Sequence, residues 1–253
     1  MPQLDNKVAI VTGAAQGLGR AYALALASEG ASVFACDLND CDETVAAVNA
    51  AGGKAQAGIV DIANMASCTA MAEQALAIFG SIDILVNNAA LYASLKGARF
   101  EQLDEAQWDA VMNVNIKGVW QCCKAVVGPM RAAGGGSIIN VSSLAAVYGL
   151  PYGLDYVASK AAVIGMTRGM ARELGADNIR VNVVAPSAVM TEGTATFFGE
   201  KLEKAKKVIA AGQVIQRNLE TSDITGTIVY LASDNSAFVT GQTHMVDGGS
   251  WFL

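Results

Sequence analysis

The chain has 253 residues, of which 53% are hydrophobic and 16% charged, and its net charge is −6. This length accommodates one large α/β domain, and the apolar content excludes disorder as the main state. The acidic balance argues against nucleic acid or a membrane surface as a partner, because both are polyanions that attract basic proteins.

The cysteines, the single histidine and the N-terminus favour a cytoplasmic protein without a metal ion. Five cysteines with no CxxC spacing do not suit a disulfide framework or a zinc ribbon. His244 alone is too little for a zinc site or a Ser-His-Asp triad. The segment MPQLDNKVAI lacks the basic and apolar regions of a signal peptide. The longest uncharged stretch, 132–154, is broken by glycines and Pro151, which excludes a spanning helix.

Short β-branched runs alternate with amphipathic stretches along the chain. In order, this pattern predicts strands at 7–13, 31–37, 54–61, 82–88, 136–143, 179–186 and 243–249, and helices over 18–28, 43–51, 65–79, 105–130, 156–174 and about 222–233. Strands that are apolar on both faces indicate a parallel sheet covered on both sides. We therefore predict an α/β fold, a Rossmann-like doubly wound parallel sheet of about seven strands with helices on both faces, forming a single domain over 1–253.

Two segments interrupt or follow this alternation. At about 191–212 the sequence EGTATFFGEKLEKAKKVIAAG predicts an insertion that covers the substrate, with a Phe pair ahead of a Lys-rich amphipathic helix. The chain ends in Trp251, Phe252 and Leu253, apolar side chains that are expected to be buried at a subunit contact or on their own subunit.

The first strand-to-helix turn reads TGAAQGLG, and its glycines permit a tight turn that brings a pyrophosphate close to a helix N-terminus. Asp37 follows at the spacing of a carboxylate that accepts hydrogen bonds from an adenosine ribose. Neither Gln16 nor Leu38 is a cation that could bind a 2′-phosphate, so the sequence favours NAD over NADP. Asp61, at the end of the third predicted strand, is expected to reach the adenine amino group.

Tyr156 and Lys160 lie four residues apart in a predicted helix, which places them on one face. A phenol has an ordinary pKa of about 10 and acts as a base near neutrality only where a cation and hydroxyl donors favour the phenolate. Lys160 is expected to supply that charge.

These features occur together with NNAA at 87–90, NIKG at 115–118 and Ser143 ahead of Tyr156. The set resembles the short-chain dehydrogenase/reductase family, and the resemblance covers essentially the full length. It implies a homotetramer or dimer, and we expect a homotetramer in which the helices over 105–130 and 156–174 pack between subunits.

The resemblance implies a role for each of four residues. Tyr156 is the general acid and base, and Ser143 hydrogen-bonds the substrate oxygen. Lys160 binds the nicotinamide ribose and lowers the pKa of the tyrosine, and Asn115 holds a water in a proton relay. Ser142, the neighbour of Ser143, is predicted to be structural.

The resemblance also extends the cofactor site. The family has NNAG and PG turns where this chain has Ala90 and Ser187, and Val189 and Thr191 resemble the residues that hold the nicotinamide carboxamide. The expected cofactor-binding residues are Gly13, Gln16, Gly17, Leu18, Gly19, Asp37, Leu38, Asp61, Ile62, Asn88, Ala89, Ala90, Tyr156, Lys160, Pro186, Val189 and Thr191.

The segment between Ser143 and Tyr156 is apolar and partly aromatic, and it predicts a hydrophobic pocket. The expected pocket residues are Leu144, Tyr148, Tyr152, Tyr92, Phe197 and Phe198, with Leu91, Val147 and Leu150 beside them. We therefore predict an NAD-dependent oxidoreductase that interconverts a secondary alcohol and a ketone, with an aryl or cyclic substrate.

Two alternatives stay open. A 3-oxoacyl-thioester reductase of the same family would be expected to use NADPH and an acidic carrier protein, and the charge of −6 and the lack of a cation beside Asp37 count against it. A non-catalytic NAD-binding regulator would keep the fold, but the complete set of catalytic residue types counts against that function.

Overall fold

The computed structural model describes residues 2–252, which form a seven-stranded parallel sheet in the order β3-β2-β1-β4-β5-β6-β7. The strands are β1 (Val8–Thr12), β2 (Ser32–Asp37), β3 (Lys54–Ile59), β4 (Ile84–Asn87), β5 (Gly136–Val141), β6 (Ile179–Pro186) and β7 (Thr243–Val246). The prediction of a doubly wound, Rossmann-like sheet is confirmed. Strand order reverses between β1 and β4, and open α/β sheets bind ligands beyond the carboxyl ends of the strands at such a point.

Ten α-helices occur within the described residues. They are α1 (Gly17–Ser28), α2 (Asp42–Ala50), α3 (Met65–Phe79), α4 (Glu105–Met112), α5 (Val119–Ala132), α6 (Ala145–Tyr148), α7 (Leu154–Leu174), α8 (Glu192–Phe198), α9 (Leu202–Ala211) and α10 (Ser222–Ala232). Polar side chains fix several starts: Asn64 caps α3 by accepting from the backbone N–H of Ala66 at 2.9 Å, and Asp104 caps α4. The predicted bounds of most helices differ from these by one or two residues.

Two apolar layers hold the helices against the sheet. Alternate residues of β1 supply both layers, since Val11 packs with Leu26 of α1 and Ile10 packs with Met71 of α3. All four side chains are fully buried, and each such burial contributes about 1.5–3 kcal/mol. The sheet is therefore fixed from both sides, which makes its carboxyl edge a rigid support for a site.

The segment predicted as one long helix over 105–130 is helical throughout, but it is not a regular α-helix. The structure has α4, then a wider π-type turn over Asn113–Gly118, then α5, which runs on to Ala132. Asn115, at the centre of this turn, is fully buried and bonds to loop and helix groups outside its own helix. Hydrophobic periodicity does not register such long-range contacts, so the interruption was not visible in the sequence.

The predicted insertion contains two helices rather than one. The Phe197-Phe198 pair ends α8, Gly199 turns the chain with φ +51°, and the Lys-rich stretch forms α9. The hydroxyl of Thr191 caps α8 by accepting from the backbone N–H of Thr194 at 3.3 Å. The first helix of the insertion thus begins at a capped residue.

At the C-terminus, Trp251 and Phe252 are 41% and 77% exposed, and Trp251 meets the ring of Tyr148 edge-on. Contacts within one subunit therefore cover Trp251 and Phe252 only in part. Leu253 lies outside the described residues. No helix between residues 2 and 252 is long and apolar enough to cross a membrane. The same part of the chain holds no cluster of three or more His, Cys, Asp or Glu that could bind a metal.

Candidate active site

The glycine turn after β1 is packed too tightly for side chains. Gly13 has φ +67°, and a Cβ atom there would lie 2.8 Å from the Cα of Ala89. A Cβ at Gly19 would collide with the carbonyl of Gly13. Gly19 is therefore tightly packed, and it is not among the residues that line the cavity described below. Gln16 gives the following helix no side-chain cap, so its first turn suits an anion.

One cavity of about 580 Å³ runs across the carboxyl ends of the strands from β3 to β6. Such a volume lies within the range of cofactor and ligand pockets. The cavity wall includes these residues expected to bind the cofactor: Gly13, Gln16, Gly17, Leu18, Asp37, Leu38, Asp61, Ile62, Asn88, Ala89, Ala90, Tyr156, Lys160, Pro186, Val189 and Thr191. The tight glycine turn and the carboxylate at the end of β2 fit a dinucleotide.

Asp37 is held in place where the cavity meets the end of β2. Its Oδ2 accepts from the backbone N–H of Ala15 at 3.2 Å, and its Oδ1 accepts from the backbone N–H of Asn39 at 3.0 Å. Asp61 is held similarly, since its Oδ1 accepts from the backbone N–H of Ala63 at 2.9 Å. Both carboxylates therefore project from fixed strand ends into the cavity.

Ser143, Tyr156 and Lys160 meet at the opposite end of the cavity. Burial raises the pKa of Tyr156, a hydrogen bond with Ser143 lowers it, and the phenol of Tyr92 raises it. The protein's own groups therefore raise the pKa of Tyr156 overall, whereas the family resemblance implies that Lys160 lowers it. The Lys160 Nζ lies 5.7 Å from the centre of the tyrosine ring and donates to the carbonyl of Val141 at 2.9 Å.

Lys160 is almost fully buried, and burial lowers its pKa to about 8. The two adjacent serines have different partners: the Ser142 hydroxyl donates to the carbonyl of Lys160 at 2.7 Å, whereas Ser143 bonds to Tyr156. Ser142 thus supports the backbone of the helix that carries both reactive side chains. Ser143 is the serine whose hydroxyl lies beside the phenol and lines the cavity.

Asn115 lies behind Ser143, Tyr156 and Lys160 and is not part of the cavity wall. Its Oδ1 accepts from the backbone N–H of Leu91 at 2.8 Å, and its Nδ2 donates to the Leu91 carbonyl and to the Ser159 hydroxyl. Ser159 in turn donates to the carbonyl of Tyr156 at 2.8 Å. Both N–H donors of the carboxamide are therefore used to join the loop after β4 to α7.

Aromatic side chains form the substrate end of the cavity. The ring of Tyr92 lies 5.3 Å from that of Tyr156 and stacks on Phe197 at 4.7 Å. Phe198 packs edge-on against Phe197. Leu144, Tyr148, Leu91 and Leu150 complete the apolar wall.

Tyr152, predicted for this pocket, is not among the residues that line the cavity. It is 63% exposed and has φ +65°, and its carbonyl accepts from the backbone N–H of Ala98 at 3.1 Å. The left-handed turn places it outside the cavity wall. Val147 also lies outside, because it packs against buried residues of α7 and β6.

Ala90 and Ser187, where the chain departs from the family's glycines, both line the cavity. Neither has a positive φ. The backbone at both positions therefore accepts a side chain, and both turns line the cavity.

A network around Arg20 was missed by sequence reasoning. Its Nη2 donates to the carbonyl of Ala15 at 2.6 Å and to Glu43 Oε2 at 2.8 Å, and its Nε donates to the Thr44 hydroxyl at 3.1 Å. The sequence feature that could have indicated a role for Arg20 is its position directly after the last glycine of the turn.

Comparisons with known proteins agree with this architecture. Residues 13–250 match the family model described as enoyl-(acyl carrier protein) reductase. The Thermotoga maritima protein named 3-oxoacyl-[acyl-carrier-protein] reductase FabG is 40% identical over 250 residues, which cover 98% of each chain. The chain belongs to the short-chain dehydrogenase/reductase family.

Other members of the family differ in the substrates that their names give. The (2S)-[(R)-hydroxy(phenyl)methyl]succinyl-CoA dehydrogenase subunit BbsD of Thauera aromatica is 39% identical over 251 residues, 97% of each chain. A solved structure of a Beutenbergia cavernae protein, described as an NAD(P)-dependent gluconate 5-dehydrogenase with NADP bound at low occupancy, superposes with a TM-score of 0.90 at 34% identity over 99% of each chain. The short-chain dehydrogenase/reductase is thus an oxidoreductase that binds a nicotinamide cofactor and acts on small molecules.

Proposed function

We propose that this enzyme interconverts a hydrophobic secondary alcohol and its ketone with NAD as the cofactor. The observation that carries the proposal is the meeting of Ser143, Tyr156 and Lys160 at the aromatic end of a cavity whose other end holds Asp37. The proposed acid/base group, the phenol of Tyr156, thus lies beside an apolar wall that would contact the substrate.

Each catalytic side chain has a role that follows from its contacts. The cofactor, when bound, supplies hydride transfer. Tyr156 takes the proton from the alcohol oxygen in oxidation and returns it in reduction, and the Ser143 hydroxyl steadies the same oxygen. Lys160 contributes a positive charge beside the phenol and holds the nicotinamide ribose. Asn115, the expected holder of a relay water, fixes the position of α7 behind Tyr156 through its bond to Ser159.

The preference for NAD rests on charge at the end of β2. The Asp37 carboxylate is fixed by Ala15 and Asn39, so it cannot turn away from a ligand without losing those bonds. It can accept hydrogen bonds from ribose hydroxyls, and it repels a 2′-phosphate of about −1.5 to −2 charge. NADP is thus disfavoured by Asp37.

The preference for an aryl or cyclic substrate rests on Tyr92, Phe197 and Phe198, which line the cavity next to Tyr156. Offset aromatic stacking adds about 0.5–1.5 kcal/mol beyond simple burial. The α8 and α9 insertion carries two of these rings and covers the substrate. The phenyl group named in the Thauera aromatica relative supports this substrate class.

Reduction of a 3-oxoacyl thioester is the second candidate, favoured by the name of the Thermotoga maritima relative. The acidic net charge of this chain opposes docking of an acidic carrier protein. Measuring the reduction of a carrier-linked or CoA-linked 3-oxoacyl substrate distinguishes a thioester reductase from an alcohol dehydrogenase directly.

We infer in addition that the subunits form a homotetramer through α5 and α7. Trp120 on α5 and Leu154 on α7 are 46% and 42% exposed, and Phe238 is fully exposed. Light scattering after size exclusion should give four times the mass of one chain.

The deciding experiment measures initial rates of NADH and NADPH formation across aryl, cyclic, linear and polyhydroxy secondary alcohols, with 3-oxoacyl thioester reduction in parallel. The proposal expects the highest kcat/KM for aryl or cyclic alcohols with NAD. Higher kcat/KM for polyols or for thioesters would overturn the substrate assignment.

A further inference from the structure

We propose that Gln107 and Asp155 are positioning residues that set the separation of Tyr92 and Tyr156, and with it the width of the substrate end of the cavity. The inference rests on the proposed function in one respect, since it takes Tyr156 as the acid/base and Tyr92 as part of the substrate wall. Neither Gln107 nor Asp155 lines the cavity, so both act through the residues that they hold.

Asp155 is a buried carboxylate directly ahead of Tyr156, in the first turn of α7, and it is only 1% exposed. A carboxylate is buried at low cost only where hydrogen-bond donors reach it. Its Oδ1 accepts from the backbone N–H of Tyr156 at 2.8 Å, a group that has no partner within the helix. Its Oδ2 accepts from Gln107 Nε2 at 2.7 Å. Asp155 therefore ties the backbone of Tyr156 to α4.

Gln107 also holds the loop after β4. Its Oε1 accepts from the backbone N–H of Lys96 at 3.0 Å, and its Nε2 donates to the Lys96 carbonyl at 3.2 Å. Together with the bond to Asp155, these contacts use both N–H groups of the carboxamide. One side chain thus joins the loop to the start of α7. The backbone N–H of Ala98 donates to the Tyr152 carbonyl at 3.1 Å, so the loop stays attached when Gln107 is changed.

The same loop carries Tyr92, whose ring lies 5.3 Å from that of Tyr156. Between Tyr92 and Lys96 the chain forms a compact turn, in which the backbone N–H of Leu95 donates to the Tyr92 carbonyl at 3.2 Å. A shift of Lys96 therefore moves Tyr92. Because Tyr92 and Tyr156 both line the cavity, a change in the separation of their rings changes the space for an aryl substrate.

An exchange of the two side-chain types breaks and then restores the link. In Asp155→Asn the new amide faces Gln107 Nε2, so two donors meet, and in Gln107→Glu two carboxylates meet. Flipping the Gln107 carboxamide would relieve the first conflict only by breaking both bonds to Lys96. The double variant Gln107→Glu/Asp155→Asn puts the carboxylate on α4 and the donor on α7. It restores the bond between the helices, keeps an acceptor for the Lys96 N–H and leaves the net charge unchanged.

Steady-state kinetics with one aryl and one small aliphatic ketone tests the functional effect. Each single variant should raise KM for the aryl ketone by about 3- to 10-fold and change kcat less than about threefold, because the width of the cavity governs binding rather than proton transfer. KM for the aliphatic ketone should change less than about twofold. The double variant should return KM for the aryl ketone to within about twofold of the wild type. A folded double variant with no such recovery would overturn the proposal.

Hydrogen exchange followed by mass spectrometry gives a readout that does not depend on turnover. Peptides over 91–99 and 152–158 should exchange faster in each single variant and at the wild-type rate in the double variant. Recovery of exchange without recovery of KM would show a merely structural link, and it would overturn the positioning role. If either single variant fails to fold, Gln107→Met removes the same bonds without adding a charge, and an unchanged KM for the aryl ketone in that variant would overturn the proposal.

Gln102→Glu is the matched control for Gln107→Glu. Gln102 is exposed in the turn just ahead of α4, and its side chain forms no hydrogen bond within residues 2–252. The control adds the same charge near the loop, and we expect wild-type KM values and exchange rates. A rise in KM as large as that of Gln107→Glu would mean that added charge acts on the loop in general, and it would overturn the pairing.

The positioning role and the proposed function fail separately. The substrate panel of the wild type tests the aryl preference, and a higher kcat/KM for polyols or thioesters would end it. The exchange rates test the link between Gln107 and Asp155 whatever the enzyme reduces, and the recovery of KM in the double variant can then be measured with the best substrate of the wild type.

Discussion

Tyr92 stacks on Phe197 with ring centres 4.7 Å apart and planes inclined by 19°. This contact joins the loop after β4 to α8 of the insertion, and Tyr92 also lies against the proposed acid/base, Tyr156. A hydrogen bond between its phenol oxygen and the Thr194 hydroxyl strengthens the same connection. The position of the insertion and the shape of the substrate end are therefore set by one pair of rings.

Loss of this stack should weaken aryl specificity. Tyr92→Leu is expected to lower kcat/KM for aryl ketones by about 3- to 10-fold, because stacking contributes about 0.5–1.5 kcal/mol. Tyr92→Phe keeps the stack and should retain most of the aryl activity. Steady-state kinetics with one aryl and one small aliphatic ketone checks this, and equal losses for both substrates in Tyr92→Leu would contradict it.

Removal of the phenol should separate chemistry from binding. Tyr156→Phe is expected to lower kcat by about 10²- to 10⁴-fold, since positioned proton transfer supplies that much. The dissociation constant of NAD should change less than threefold. Turnover assays and calorimetry on the same preparation provide the measurement, and activity near the wild-type level would exclude Tyr156 as the acid/base.

The two adjacent serines should differ in their effect on the pH profile. The hydrogen bond from Ser143 lowers the pKa of Tyr156, so Ser143→Ala should move the alkaline pKa of alcohol oxidation upward. Ser142→Ala should reduce thermal stability and leave that kinetic pKa in place, because its hydroxyl bonds to the Lys160 carbonyl. Profiles of kcat/KM against pH for both variants make the comparison. Identical kinetic pKa values in wild type and Ser143→Ala would count against the assignment.

Burial of Lys160 should make stability depend on pH. Its pKa is about 8 in the folded state and about 10.4 when unfolded, so between these values the unfolded chain binds more protons. The free energy of unfolding of the wild type should therefore rise with pH in that window, relative to Lys160→Met. The expected gain is about 1–2 kcal/mol between pH 8 and pH 9.5. Urea unfolding of both proteins at pH 7, 8, 9 and 9.5 measures it, and a constant difference would show that Lys160 does not titrate there.

The sheet and most of the cavity wall are predictable from the sequence. Runs such as those ending at Asp37 and Asn87 are apolar on both faces, and that pattern is sufficient to specify buried parallel strands. The glycine turn and the Tyr156–Lys160 spacing are local features, because turn geometry and helix periodicity depend on near neighbours. Their positions at the ends of strands then bring them to one edge of the sheet.

Features that depend on contacts between distant segments are visible only in the folded protein. The turn at Asn115 is tied to Leu91 and Ser159, and Tyr152 is carried away from the pocket by a left-handed backbone. The pairing of Arg20 with Glu43 crosses from α1 to α2. No periodic sequence pattern encodes such pairs. Each pair forms because the folded sheet brings two helices or loops together, and because their buried polar groups then need hydrogen-bond partners.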